Sequence, residues 1–233
     1  ITATVVMPQT APNVKLENTR RHGAKIVLYD PLTESRETIA GAIASRTGAV
    51  LVPPYDDPRI ISGQGTVGLE IADQADELGL QIDVVLVPCS GGGLVAGCAI
   101  ALKERFPNAE IHAIEPEGFD DTARSLVSGF RETNDGGTMT FCDALCVPTP
   151  GEITFAINRR LLTGGLVVGD DMTGAAMRTA FRDLKLVVEP GGAIALAAVL
   201  FGLVTAAGRN IAVVCSGGNV DQAMFSDVLS QSD

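Results

Sequence analysis

Short apolar runs alternate with helical patterns along almost the whole chain, and the connections between them are brief. A run such as Val84-Val85-Leu86-Val87 is apolar at every position rather than at every second one. That pattern suits a strand covered on both faces. Strands of this kind separated by helices form parallel βαβ units with right-handed crossovers, so the fold class is α/β. Strands are expected at residues 3–7, 25–29, 49–52, 84–88, 110–114, 186–188 and 211–215. Helices are expected at 11–22, 33–46, 65–78, 94–106, 120–128, 152–162, 170–184, 191–203 and 220–229, with Asp170 and Asp171 capping the helix they open. Three prolines within residues 53–58 interrupt the rhythm and mark a crossover between a domain at 1–52 and a larger one at 53–233.

Composition narrows the partners. Aromatic residues make up only 4% of the chain and Trp is absent, so Val, Ile, Leu and Ala must build the core. The formal net charge is −11 and the basic residues are scattered, which disfavours nucleic acid and anionic membrane surfaces as partners. An anionic ligand would have to be held by local devices such as helix N-termini and backbone N–H groups. No run approaches the ~18 apolar residues of a membrane span. The five cysteines are odd in number and form no C-x-x-C pair, which suits buried free thiols in a reducing cytoplasm.

Three glycine clusters carry the chemical information. Cys89-Ser90-Gly91-Gly92-Gly93-Leu94 stands between an apolar strand and a helix, the arrangement in which backbone N–H groups converge on a phosphate. A tight turn without a ligand is the competing reading. Ser62-Gly63-Gln64-Gly65-Thr66-Val67-Gly68 has the Gly-x-Gly-x-x-Gly spacing of dinucleotide sites, and a nicotinamide-dependent dehydrogenase would rest on it. Its preceding segment, however, is short and proline-led rather than a strand. Cys215-Ser216-Gly217-Gly218-Asn219 follows the last strand and places Ser216 at a carboxyl end, where α/β sheets hold ligands.

Six motifs occur in order: Pro8-Gln9-Thr10-Ala11-Pro12, Pro54-Tyr55-Asp56-Asp57-Pro58, Gly63-Gln64-Gly65-Thr66, Ser90-Gly91-Gly92-Gly93, Val188-Glu189-Pro190 and Ser216-Gly217-Gly218-Asn219. Together they resemble the fold-type II pyridoxal-phosphate enzymes of the serine/threonine dehydratase group, which includes threonine dehydratase, serine dehydratase and serine racemase. The resemblance implies a tryptophan synthase β-like fold with two open parallel-sheet domains, each a three-layer α/β/α sandwich. It implies that Ser90, Gly91, Gly92, Gly93 and Leu94 hold the phosphate of pyridoxal 5′-phosphate and that Ser216 bonds the pyridine nitrogen. Glu189 would lie near the same site, or serve only as a helix-entry residue. Arg36 matches a position that binds a substrate carboxylate, although an exposed helix arginine fits it equally well. Glu115, Asp121 and the Phe119 carbonyl resemble a site for Mg²⁺ or a similar divalent cation, with a solvated acidic loop as the alternative.

The activity so implied is an L-threonine/L-serine ammonia-lyase that eliminates the β-hydroxyl of a small hydroxy-amino acid to give a 2-keto acid and ammonia, in a cytoplasmic homodimer with a role in amino-acid catabolism. A 3-hydroxyaspartate dehydratase or a serine racemase of the same family is the alternative, and a non-catalytic ligand-binding relative another. The family's Schiff-base lysine lies in a Ser-x-Lys-x-Arg-Gly motif upstream of the Pro-Gln-Thr-Ala-Pro segment, and these residues contain none. Lys15, Lys25, Lys103 and Lys185 stand near no cofactor motif. A further N-terminal segment carrying the lysine is therefore expected.

Overall fold

The computed structural model describes residues 1–135 and 137–231. They group into two compact units, one of Ile1–Val52 with Asn219–Phe225, the other of the described residues within 53–218 with 226–231. In the first unit β1 (Thr4–Pro8) pairs in parallel with β2 (Lys25–Tyr29), Thr4 opposite Lys25 and Met7 opposite Leu28. α1 (Asn13–Arg21) links the two strands, and α2 (Arg36–Thr47) follows them. Ser35 starts α2 because its hydroxyl accepts the Thr38 N–H at 3.1 Å, and Gly48 ends it in the left-handed region. Residues 49–52 are not a strand. The run has the apolar composition of one, but no neighbour among the described residues pairs with it, and Val50, Leu51 and Val52 stand 77%, 46% and 69% exposed. Composition supplies the faces of a strand; only a partner supplies its hydrogen bonds.

The second unit runs α3 (Pro58–Glu77), β3 (Val84–Pro88), α4 (Gly93–Arg105), β4 (Glu110–Pro116), α5 (Asp121–Ser128), a 3-10 turn (Asp143–Leu145), α6 (Glu152–Leu161), β5 (Gly164–Val168), α7 (Asp170–Thr179), a π-helical turn (Ala180–Leu184), α8 (Pro190–Leu200) and β6 (Ile211–Val213). The final helix, α9 (Gln222–Ser230), has residues in both units. The sheet is wholly parallel in the order β5-β4-β3-β6. Leu86 of β3 lies opposite His112 on one side and Val213 on the other. Alternate residues serve opposite faces. Val85, Val87, Ile111 and Ala113 pack with Ala72 and Ala75 of α3 and with Val95, Cys98 and Leu102 of α4. Val84, Leu86 and Ile114 point the other way, and α8 packs against β3, β4 and β5 with Ala193, Ile194 and Ala197 fully buried. Each fully buried Val, Leu or Ile contributes about 1.5–3 kcal/mol, so the three layers account for a large part of the stability. No helix among the described residues is long and apolar enough to cross a membrane.

Several expectations are corrected here. α3 begins at Pro58, seven residues before the expected start, because Asp57 accepts the Arg59 N–H at 2.8 Å and proline is tolerated at a first helical position. Gly63, Gly65 and Gly68 therefore lie inside a helix, whose backbone N–H groups are already bonded. They cannot cradle a pyrophosphate, and the dehydrogenase reading falls. β5 escapes the pattern because it opens on Gly164-Gly165 and leaves only three apolar residues. Residues 186–188 form no strand. Asp170 is the first residue of α7 rather than its cap, and its carboxylate instead accepts the Phe141 N–H at 3.1 Å.

Candidate functional site

The adjacent strands β3 and β6 end on the same sheet edge, and each is followed by a serine–glycine turn. The β3 turn comprises Ser90, Gly91 and Gly92 and runs straight into α4, whose N-terminus has no side-chain cap. Gly92 sits at φ +89°, a region that L residues with side chains rarely adopt. Three bonds from residues 151–158 hold the Gly91 and Gly92 carbonyls, and the Ala96 N–H of α4 also donates to the Gly92 oxygen at 3.0 Å. The Thr154 hydroxyl donates to the Gly91 oxygen at 2.6 Å, the Gly151 N–H donates to the same oxygen at 3.3 Å, and the Asn158 amide donates to the Gly92 oxygen at 3.3 Å. Below the turn lies Tyr55, so close that a side chain on Gly91 would meet its ring. The Ser90 hydroxyl is buried and has no hydrogen-bond partner among the described residues. A buried unsatisfied hydroxyl beside uncapped helix N–H groups is suited to an anion.

The second turn, from Ser216 to Gly218, lies against the start of α8. Glu189 donates its N–H to the Gly217 oxygen at 2.9 Å, and a side chain on Gly217 would meet the Glu189 carboxylate. Ser216 itself is exposed. The structure therefore brings Glu189 and Ser216 to one turn, and puts that turn on the strand next to the Ser90–Gly93 loop. The carboxyl ends of strands where the order switches, as it does across β3, are where open α/β sheets bind ligands.

Glu115 and Asp121 form a separate, buried cluster. Glu115 is the last residue but one of β4, and its carboxylate oxygens accept the N–H groups of Thr122 at 3.0 Å and Ala123 at 2.7 Å, which caps α5. Burial, and then the charge of Asp121, push Glu115 up to about 8. Asp121 accepts the Asn134 amide at 2.6 Å on one oxygen, while the other is buried and unpartnered. Burial pushes Asp121 up to about 6. Among the described residues no three acidic, histidine or cysteine groups gather around a common point. A hard cation at this pair would need backbone and water oxygens to complete its shell. Arg36 lies in the other unit as the first residue of α2, with its guanidinium on Glu37 at 2.9 Å.

A family model for pyridoxal-phosphate dependent enzymes matches residues 1–217 of the 233. The chain belongs to that family. It is 40% identical to serine racemase of Arabidopsis thaliana over 237 residues, covering all of this chain and 70% of that protein. It is 34% identical to L-threonine ammonia-lyase of Thermotoga maritima, covering 99% of this chain and 56% of the relative. Maize serine racemase superposes with a TM-score of 0.88 at 39% identity, covering 97% of this chain and 69% of that one.

Enzymes of this family use pyridoxal phosphate, and the residues present fit its phosphate. The orphan Ser90 hydroxyl and the uncapped start of α4 supply donors in a chain whose net charge would otherwise repel a dianion. The lysines lie elsewhere. Lys103 donates to the Pro107 and Ala109 carbonyls and Lys185 to the Arg182 carbonyl, while Lys25 begins β2 and Lys15 is in α1.

The thiols of the family member are graded by burial. Cys89 is pushed well up, Cys98 to about 11 and Cys142 to about 12, each chiefly by burial, whereas Cys146 is exposed. At pH 8 a thiol titrating near 12 is ionised to about one part in ten thousand, and the thiolate is the reactive form. Iodoacetamide at pH 8 is therefore expected to alkylate Cys146 first, and Cys89, Cys98 and Cys142 only after unfolding in urea. Peptide mass mapping against time reads the order. Labelling of Cys142 in the folded protein as fast as Cys146 would contradict the packing of the 3-10 turn.

Four residues of the site were not legible as such in the sequence: Tyr55 beneath the loop, Asp56, and the pair Thr154 and Asn158 above it. Asp56 accepts the N–H groups of Glu152, Ile153 and Thr154 at 2.9, 2.9 and 3.1 Å and so caps α6. The Pro54–Pro58 segment signalled a crossover, and nothing in it announced a cap for so distant a helix.

Proposed function

We propose that this chain acts on hydroxy-amino acids as a pyridoxal-phosphate-dependent L-threonine/L-serine dehydratase. The observation that carries the reading is the uncapped glycine loop at β3, with its orphan Ser90 hydroxyl, on the strand beside Ser216. Ser90, Gly91, Gly92, Gly93 and Leu94 hold the phosphate. Ser216 bonds the pyridine nitrogen; a serine hydroxyl is too weak an acid to keep that nitrogen protonated, and this favours prompt elimination of the hydroxyl. Glu189, against Gly217, borders the ring end of the site. When bound, the cofactor supplies an electron sink for the α-carbon. Arg36 takes the substrate carboxylate in exchange for Glu37. Glu115, Asp121 and the Phe119 carbonyl hold Mg²⁺ or a similar cation, a reading supported by the buried unpartnered oxygen of Asp121. The active form is a cytoplasmic homodimer, with residues 1–52 and 53–233 as its two domains.

Serine racemisation is the second reading, favoured by the 40% identity to a serine racemase. The test is a spectrum followed by product analysis. The full-length protein with the family's lysine should, with pyridoxal phosphate, show a violet-region absorption band that borohydride bleaches. L-Threonine and L-serine should then give 2-keto acids and ammonia. D-Serine formed faster than keto acid would make racemisation the main activity, and a preference for 3-hydroxyaspartate would move the substrate. A flat spectrum with added cofactor would defeat the reading.

A further inference from the structure

The glycine loop at β3 is held only in part by its own backbone, through the Ala96 N–H that donates to the Gly92 oxygen at 3.0 Å. A phosphate is bound by N–H groups, and where these point is set by the peptide planes. In a planar trans peptide the carbonyl and the N–H point in opposite directions. The Gly91 carbonyl shares its plane with the Gly92 N–H, and the Gly92 carbonyl with the Gly93 N–H. Fixing the two carbonyls therefore aims the two N–H groups. Thr154 bonds the first carbonyl at 2.6 Å, beside the Gly151 N–H, and Asn158 the second at 3.3 Å, beside the Ala96 N–H, from positions four residues apart on one face of α6. Both side chains are fully buried. α6 is in turn anchored by Asp56, which takes three of its first N–H groups on one carboxylate. Tyr55, the preceding residue, closes the underside of the loop.

We propose that Thr154 and Asn158, held in place by Asp56, are positioning residues that aim the Gly92 and Gly93 N–H groups at the cofactor phosphate. The inference rests on the cofactor reading above. Without these two side chains each carbonyl keeps only one backbone bond, from Gly151 or from Ala96, and the peptide can rock about it. A rotated plane turns an oxygen toward the phosphate where an N–H should be, and exchanges attraction for repulsion.

The test uses pyridoxamine 5′-phosphate, which carries ring and phosphate but no aldehyde, so that binding does not depend on any lysine. Its affinity is titrated by fluorescence for the purified protein and for Thr154→Val, Thr154→Ser and Asn158→Leu, with inorganic phosphate as competitor. Thr154→Val and Asn158→Leu should each weaken binding about tenfold, the scale set by one lost hydrogen bond with its knock-on to a charged ligand. The inhibition constant of inorganic phosphate should rise in the same proportion, which places the loss at the phosphate end. Thr154→Ser, which keeps the hydroxyl, should restore affinity. Unchanged affinity for both ligands, with only a lower melting temperature, would make the two residues structural and overturn the proposal. Where Asn158→Leu does not fold, the contrast between valine and serine at 154 decides. Failure of the unsubstituted protein to bind pyridoxamine 5′-phosphate would instead overturn the cofactor reading itself.

Discussion

Gly97→Ala is expected to destabilise the protein by about 3 kcal/mol or more, through overpacking at a site where only backbone can yield. A methyl at Gly97 would meet the Ile61 oxygen, with the Gly65 nitrogen at 2.5 Å and the Gln64 carbonyl carbon at 2.9 Å. The contact is glycine on both sides. A methyl at Gly68 would lie 2.8 Å from the Cys98 oxygen, and one at Gly65 would lie 3.2 Å from the Gly97 oxygen. α3 and α4 thus touch backbone to backbone, and a side chain between them must push one helix away. Since α4 carries the glycine loop at its N-terminus, that displacement reaches the site as well. Urea unfolding followed by circular dichroism measures the cost. Gly41→Ala is the control: it lies inside α2 with nothing within 4 Å of the added methyl, and it should raise stability by up to about 1 kcal/mol. A loss at Gly97 no larger than about 1 kcal/mol would mean that the helices are not in backbone contact.

Gly92→Ala should weaken binding of pyridoxamine 5′-phosphate by about a hundredfold or more. Two costs combine. A non-glycine residue at φ +89° is strained by roughly 1–2 kcal/mol. The methyl would also lie 2.7 Å from the Asn158 amide nitrogen and 3.2 Å from Thr154, so it pushes away the group that holds the Gly92 carbonyl. The backbone relieves both by rotating the peptides around residue 92, and that rotation turns the N–H groups off the phosphate. A total near 3 kcal/mol corresponds to roughly a hundredfold in affinity. The melting temperature without ligand should fall by much less than for Gly97→Ala, because the loop lies at a helix end rather than between two helices. Near-normal affinity in Gly92→Ala would show that this N–H pair does not bind the phosphate.

The central layer of the larger unit was legible because its signal is local. Val84–Val87 is apolar at every position and is followed at once by Ser-Gly-Gly-Gly, so strand, turn and helix can be read from about ten consecutive residues. Signals that depend on distant partners could not be read. Val50-Leu51-Val52 has the side chains of a strand but no pairing among the described residues. β5 is a strand because β4 offers it an edge, Gly164 pairing with His112, despite two opening glycines. Gly63, Gly65 and Gly68 illustrate a degenerate signal. The same spacing serves a phosphate turn and a close helix crossing, and the proline thought to break the helix in fact begins it. Within the site, Ser90 and Gly91–Gly93 stood out by composition. Thr154 and Asn158 did not, because a buried threonine and asparagine in a helix look like any satisfied polar residue until the carbonyls they hold are known.

The cap that Asp56 places on α6 bears on how such a site can be inherited. Its bond to Thr154 joins residues 98 apart, and Ser216 stands in the turn that follows β6. The glycine loop is therefore not a portable strand–turn–helix cassette. A transplanted β3–α4 unit would bring the glycines without the groups that orient them. The connecting loops are a different matter: doubling the length of a flexible loop costs only about 0.6 kcal/mol in closure entropy. Insertions between the anchoring residues are cheap, while replacement of any anchor is not.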